Sequence, residues 1–393
     1  MNEKRDLFLK FLTICFGFTL SFFSLELIAR IAPSRSFFPP ERPIECNQTE
    51  VINLKCLHRR KPYSKVIWSR GIFKPFNQFA LKRTNDIGQF SDINLQTFLK
   101  NKNNSIQLLA IGDSFVEALQ VENQSSFHGL LNDFETNTNQ KIISTSIGSS
   151  GMAFPNYIAT LKYAKTLTNL KDIFITIPII SNDFDESFKQ YAIKGRRRGL
   201  GQFYFEENTE NLNFIELPKK QNLTQETIDF ILKKSTLIRY LTYNLEMIST
   251  LNRGRKFLSK NIFKAKINES TREKKLERFR LGNKAIDNFI NNLKDIRKTN
   301  YERERTILII DTDRNAIYNK ISLNSNSFDQ TMRKNIIKKA KENGFKVIDM
   351  QPIFNEDYIM NKKRFDSIYD GHWNEYGHLK VSEEIMNIIN QLN

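Results

Sequence analysis

The sequence predicts an α/β fold: a parallel sheet sandwiched by helices, with an inserted helical subdomain and an apolar segment at the amino end. Three observations predict it. Short apolar runs rich in Ile, Leu and Val alternate with stretches of helical periodicity. The first run, Ile106 to Ile111, stops abruptly in Gly112-Asp113-Ser114, as a buried parallel strand does when it delivers a side chain to the carboxyl edge of its sheet. The later runs also end in small or polar residues, and Asp370 with His372 stands near the far end of the chain.

Composition bounds the rest. With 393 residues, 40% hydrophobic and 26% charged, the chain can hold one large domain with insertions, or two domains. The net charge of +17 suits an anionic membrane or polysaccharide, or a Lys- and Asn-rich proteome. Nucleic-acid binding needs basic residues gathered on a recognisable module, and the sequence has none.

At the amino end, Lys4 and Arg5 precede an uncharged run from Phe11 to Leu25, bounded by Lys10 and Glu26. This is a basic leader followed by an apolar core. The run falls short of the roughly 20 residues that span a bilayer, and snorkelling by Lys10 and Arg30 extends it. Ala29-Arg30-Ile31 makes a poor cleavage site. Residues 1–31 are therefore expected to be an uncleaved signal anchor, single-pass in a bacterial inner membrane, with the bulk of the chain periplasmic or otherwise extracytoplasmic. In that oxidising compartment Cys46 and Cys56 are expected to pair, while Cys15 lies inside the apolar run. There is no Cys-x-x-Cys and no cluster of His with Cys, so neither metal nor cofactor is expected.

Residues 32–104 read as a connector and lead-in. Pro33, Pro39, Pro40, Pro43 and Pro62 keep its first half extended, and Arg83 to Gly88 is a turn signal before the main domain. From 105 to 393 strands and helices alternate. Strands are expected at Ile106–Ile111, Lys141–Ser146, Ile173–Ile179, Thr306–Ile310 and Phe345–Ile348. Helices are expected at Ser125–Phe134, Tyr157–Leu167, Met332–Asn343 and Glu375–Ile389. Residues 186–300 interrupt this rhythm and are expected to form the helical insertion. Within them, Lys194 to Gly199 is a basic loop, read as solvated.

Four groups then stand at strand ends: Ser114, Gly151, Asn182 and the Asp370/His372 pair. Nucleophilic catalysis by serine needs a base to take its proton and a third group to orient that base. His372 and Asp370 supply both from one loop. The developing oxyanion needs donors, and the N–H of Ser114, the N–H of Gly151 and the Asn182 amide are of the right type.

These stretches resemble the SGNH (GDSL-type) hydrolases and acyltransferases. Gly112-Asp113-Ser114 matches the block that carries the nucleophile. Ser146 to Gly151 is similar to the second block, with Gly151 at the oxyanion glycine and Ser146 where the family often has Asn. Ser181-Asn182-Asp183 resembles the third, with Asn182 as the oxyanion side chain and Ile180 where Gly is frequent. Asp370-Gly371-His372 resembles the last, although the usual spacing is Asp-x-x-His and Tyr369 stands three before the histidine. The shorter spacing resembles membrane-associated members that O-acetylate exported polysaccharides, and Asn85 to Gly88 resembles a lead-in of anchored members. The resemblance covers roughly 105–183 and 305–392. It implies an SGNH-type, flavodoxin-like sheet.

The expectation is thus an exported ester hydrolase or O-acyltransferase acting on acyl, foremost acetyl, esters, with catalytic Ser114, His372 and Asp370 and oxyanion donors Gly151 and Asn182. Its partners would be an acyl-ester or carbohydrate substrate and, through the anchor, the membrane. The alternative is a catalytically silent accessory protein of the same fold that binds a glycan or an envelope partner. Of the other residues, Asp113 and Asp183 are read as structural hydrogen-bonding groups, and Asp366 as a fallback partner for His372. His378 is read as a surface residue, His58 and His128 as structural, and Asn374 as the cap of the last helix.

Overall fold

The computed structural model describes residues 2–32, 34–36, 60–72, 77–100, 105–188, 203–207, 212–214, 223–247, 270–321 and 326–393. Cys46, Cys56, His58 and the Lys194 to Gly199 loop lie outside the described residues. The chain divides into two compact units. The larger comprises Pro39–Lys65, Leu81–Lys219 and Lys266–Asn393, the smaller Met1–Phe38, Val66–Ala80 and Lys220–Ala265.

The larger unit is built on five strands: β1 Ser105–Gly112, β2 Lys141–Gly148, β3 Phe174–Ile179, β4 Thr306–Ile310 and β5 Lys346–Asp349. They lie in the order β2-β1-β3-β4-β5, and every pair is parallel. This is the flavodoxin-like order, in which the chain steps outward to β2 and then back past β1 to β3. Gly112 lies opposite Gly148, and Ile179 opposite Ile310, so the carboxyl ends form one edge. Ser114, Gly151 and Asn182 follow that edge; Asp370 and His372 do not stand at a strand end as expected but in the loop between the helices Met350–Asn361 and Glu375–Leu392, because the chain after the last strand turns directly into a helix.

Period-2 alternation divides the core between the two faces. Leu109 and Ile111 point into one cluster, Leu108 and Ala110 into the other. On the first face pack α2 Phe154–Leu167, α4 Ser270–Ile296 and α5 Phe328–Glu342. On the second pack α6 Met350–Asn361 and α7 Glu375–Leu392. Two short helices, α1 Ser114–Glu117 and α3 Ser181–Glu186, start where β1 and β3 end.

Local differences from the expected elements have physical causes. The stretch Ser125–Phe134 is not one helix. Ser126 caps a helix of only Phe127–Leu130, and Leu131–Asp133 tightens into a 3-10 turn that buries Leu131. The stretch 186–300 divides between the units. Its α4 buries Leu281, Ala285, Phe289 and Leu293, one side of a helix at four-residue spacing, in the core of the larger unit. Phe289 stacks on Phe154 with ring centroids 4.4 Å apart. The 223–247 part belongs to the smaller unit. The turn at 83–88 is folded tightly into the larger unit. Asn85 Oδ1 accepts from the N–H groups of Ile87 and Gln89, and Gln89 Oε1 accepts from Gly148 N at 3.0 Å, bracing the end of β2.

The smaller unit contains the helix Asn2–Ile31, which is long and apolar enough to cross a membrane. Nearly all its large apolar side chains are exposed, and Cys15 is a free, exposed thiol. Glu26 and Ala29 are the buried exceptions. The Glu26 carboxylate accepts from Ser235 Oγ at 2.8 Å and from the N–H groups of Thr236 and Leu237 at 2.9 Å. It thereby satisfies the free donors at the start of the helix Thr236–Arg239.

Candidate active site

β1 brings Ser114 to the sheet edge, and the next residues turn at once into α1. Asp113 caps that helix, accepting from Phe115 N at 2.9 Å, so Ser114 is its first residue and not its cap. A Cβ on Gly112 would lie 2.5 Å from Val116 Cγ2, so only glycine lets α1 fold back so closely on its strand.

The loop after Phe365 brings His372 to Ser114. His372 Nε2 lies 2.7 Å from Ser114 Oγ, and His372 Nδ1 lies 3.0 Å from Asp370 Oδ1. The same carboxylate oxygen accepts from His372 N at 3.0 Å, and Gln120 Nε2 donates to Oδ2 at 3.1 Å. Burial works to raise the Asp370 pKa, but the hydrogen bonds and charge of His372 and the Gln120 amide hold it down at about 2. Asp370 is therefore an anion at neutral pH. The short Asp-x-His spacing is compatible with the contact because the carboxylate turns back on the backbone and ring of the same histidine.

The loop is fixed from the end of β4. Arg314 donates to the Gly371 carbonyl and to Asp311, and Asp311 accepts from Trp373 Nε1 at 3.1 Å. Phe115 packs between the rings of His372 and Trp373, at 5.0 and 4.8 Å. Asp366 is not brought to His372. It accepts from Tyr318 OH at 2.6 Å and from Arg364, and pairs as an isolated bridge with Trp373. Asn374 caps α7, accepting from Gly377 N at 2.9 Å. His378 is buried, which corrects its reading as a surface residue: its Nδ1 accepts from Phe127 N, and its ring stacks on Phe127. Burial, with the charges of His128 and Lys82 adding to it, drives the His378 pKa well below the usual histidine range. His128 is also buried and is held down at about 3, by burial first and Lys82 second.

The other two strand-end groups line the same cavity, of about 710 Å³, together with Ser114, His372, Ile180 and Arg314. Gly151 has φ +84°, a conformation glycine adopts without penalty. Asn182 sits at the start of α3, and its Nδ2 donates to Glu186 Oε2 at 3.2 Å. Beneath it, Asp183 accepts from Ile180 N and Tyr157 OH at 2.9 Å. Burial, and then the nearby Asp113, push the Asp183 carboxyl well above its usual range. Burial likewise raises Asp113, to about 6. Both are structural groups, bonded to the backbone turns that carry Ser114 and Asn182.

A connection that the sequence did not reveal ties the Ser114 helix to the Gly151 loop. Glu117, three residues after Ser114, is buried and accepts from Ser150 N at 2.9 Å and from the Ser150 hydroxyl. Arg60 Nη2 compensates it at 2.7 Å. Burial opposes the charge, but Arg60 and Ser150 hold the Glu117 carboxyl at about 2. Lys82, fully buried, donates to the Ala118 carbonyl at the end of α1; burial lowers its pKa to about 7 against the pull of Glu117. An acidic residue on the first turn after Gly-Asp-Ser was the available signal for Glu117. Gln120 and Arg60 had none, since their partners are 250 and 57 residues away.

No family model matches the sequence, and no curated protein matches it. Among solved structures, the chain is similar to a member of the lipolytic G-D-S-L family from Veillonella parvula, at 12% identity and TM-score 0.38, covering 73% of this chain and 100% of that one. It is similar to a lipase from a goat rumen metagenome, at 14% identity and TM-score 0.38, covering 74% and 100%. An acetylxylan esterase from Geobacillus stearothermophilus matches at 12% identity and TM-score 0.33, covering 73% and 96%. Likenesses this remote leave the chemistry to be argued from the side chains themselves.

Proposed function

We propose that this chain is an SGNH-type serine ester hydrolase or O-acyltransferase. The observation that carries the reading is the continuous hydrogen-bonded line from Ser114 through His372 to Asp370 on the wall of an open cavity. Ser114 Oγ attacks the ester carbonyl while its proton passes to His372 Nε2. The anionic Asp370 holds the Nδ1–H tautomer and stabilises the imidazolium. The oxyanion meets the N–H groups of Ser114 and Gly151 and the Asn182 amide. His372 then gives its proton to the leaving alkoxide, which leaves an ester on Ser114. In the second half His372 deprotonates the acceptor as it attacks the acyl carbon, and returns that proton to Ser114 Oγ as the serine ester breaks. Water as acceptor makes the chain an esterase; a sugar hydroxyl makes it an O-acyltransferase. Acetyl esters of a surface polysaccharide are the proposed substrate class. Glu186, Asp313, Asp329 and Arg333 also line the cavity, offering acceptors and donors to a hydroxyl-rich molecule.

The helix Asn2–Ile31 is inferred to cross a bacterial inner membrane once, with the bulk of the chain extracytoplasmic. The test is the full chain, solubilised in detergent, offered p-nitrophenyl acetate and a serine-directed fluorophosphonate. Hydrolysis and labelling that both vanish in Ser114→Ala are expected; an unlabelled, inactive wild-type chain would sink the enzyme reading. Comparing acyl groups on surface glycans with and without Ser114→Ala separates transfer from hydrolysis.

A further inference from the structure

We infer that the helix Leu223–Lys234 of the smaller unit lies in the polar–apolar boundary of an anionic bilayer, as a second membrane contact beside the spanning helix. The inference rests on the anchor reading above. Its first support is depth. Glu26 is bonded to Ser235, Thr236 and Leu237, so the corner that follows Lys234 is held at the level of Glu26. The uncharged run Phe11–Leu25 ends at that level, with Phe22 and Phe23 exposed before it and the Arg30 side chain 62% exposed one turn after it. Once the Asn2–Ile31 helix spans a bilayer, the corner sits where its hydrocarbon ends.

The second support is the surface of the 223–234 helix. Leu223 is 83% exposed and Phe230 61% exposed; they stand seven residues apart, two turns along one side. Ile231 and Ile228 widen that exposed apolar strip. Leu232 is buried, and Arg239 donates to the Leu232 and Lys233 carbonyls, capping the helix end and fixing its rotation. Four large apolar residues exposed on one amphipathic helix fit a lipid interface.

The third support is charge. In sequence, the smaller unit carries 16 Lys and Arg against 6 Asp and Glu. Lys233 and Lys234, exposed at the end of the helix, reach headgroup phosphates while their stems remain in the apolar layer.

The experiment uses the full chain with its cysteines replaced by serine, reconstituted in bilayers of phosphatidylcholine with a third of the lipid as phosphatidylglycerol. Single cysteines carrying a nitroxide are placed at Phe18, Leu223, Phe230 and, as a solvent control, Lys338. Circular dichroism checks that each labelled chain is folded. Collision with oxygen and with a water-soluble nickel chelate reads the environment of each label. Labels at Leu223 and Phe230 are expected to favour oxygen several-fold over the chelate, as at Phe18, while Lys338 favours the chelate. A lipid-facing Phe18 with chelate-accessible Leu223 and Phe230 overturns the inference and leaves the span standing. Chelate access at Phe18 as well overturns the anchor reading itself. Removing phosphatidylglycerol is expected to make the Phe230 label shallower; an unchanged depth overturns the part assigned to Lys233 and Lys234.

Discussion

The two halves of the candidate site are built differently. The Ser114–His372–Asp370 half is joined by direct side-chain hydrogen bonds, with Asp370 bonded at both oxygens and its loop tied down by Arg314 and Asp311. The Gly151 and Asn182 half is positioned at second hand. Glu117 holds Ser150 next to Gly151, and Asp183 holds the turn before Asn182. The proposed acid–base half rests on side-chain hydrogen bonds at a partly exposed edge. The proposed oxyanion half rests on the turns that carry Gly151 and Asn182, which the buried carboxylates Glu117 and Asp183 hold by hydrogen bonds. Proton transfer tolerates small ring movements, whereas donors aimed at an oxyanion must be in place before the charge develops.

Substitutions can break this contrast, starting with the largest effect. Ser114→Ala and His372→Ala are each expected to lower kcat for p-nitrophenyl acetate by about 10⁴-fold or more, and the double variant no further, since the pair acts as a unit. Next, Asp370→Ala is expected to cost roughly 10²–10⁴-fold in kcat. Asp366→Ala should leave kcat near wild type and lower the melting temperature, because Asp366 bonds Tyr318 and Arg364 instead of His372. The reverse pattern would reassign the orienting acid. Asn182→Ala is expected to lower kcat by about 10²-fold with KM little changed, the mark of a contact made in the transition state.

The smallest effect on rate sharpens the comparison most. Glu117→Gln keeps an acceptor for Ser150 but removes the charge that Arg60 compensates, so kcat should fall by about tenfold or less while labelling of Ser114 persists. Its stability has a distinct pH signature. Glu117 titrates near 2 in the folded chain against an ordinary 4.5, a depressed value, so its contribution is complete above pH 4.5 and is lost as pH falls towards 2. Urea unfolding should show wild type exceeding Glu117→Gln by on the order of 3 kcal/mol at pH 6, with the gap shrinking at pH 3. A gap independent of pH would show that Glu117 is not ionised as described.

How much of this was legible in the sequence follows from the range of each interaction. The alternating runs determined the parallel sheet, because a strand buried on both faces must be apolar throughout and a crossover helix must follow it. That logic also located Ser114, Gly151 and Asn182 at strand ends, and Asn374 as a cap. The break of Ser125–Phe134 into two short turns was hidden, since periodicity does not register where the chain must bend to fit its neighbours. His378 looked exposed because its burial depends on Phe127, distant in sequence.

The sequence by itself determined the sheet, the edge where Ser114, Gly151 and Asn182 stand, and the apolar amino-terminal helix, all products of local pattern and hydrophobic burial. Only the tertiary structure decided that Asp370 and not Asp366 meets His372, that Gln120 and Arg314 hold that loop, and that Glu117 joins Ser150 to the Ser114 helix with Arg60 as its counterion. It alone decided that residues 223–247 belong with the amino-terminal helix. Apart from Asp370 and His372, two residues apart, these are pairings of polar groups across tens to hundreds of residues. Such a pair is selected by the geometry of the folded chain, and a one-dimensional pattern has no way to record it.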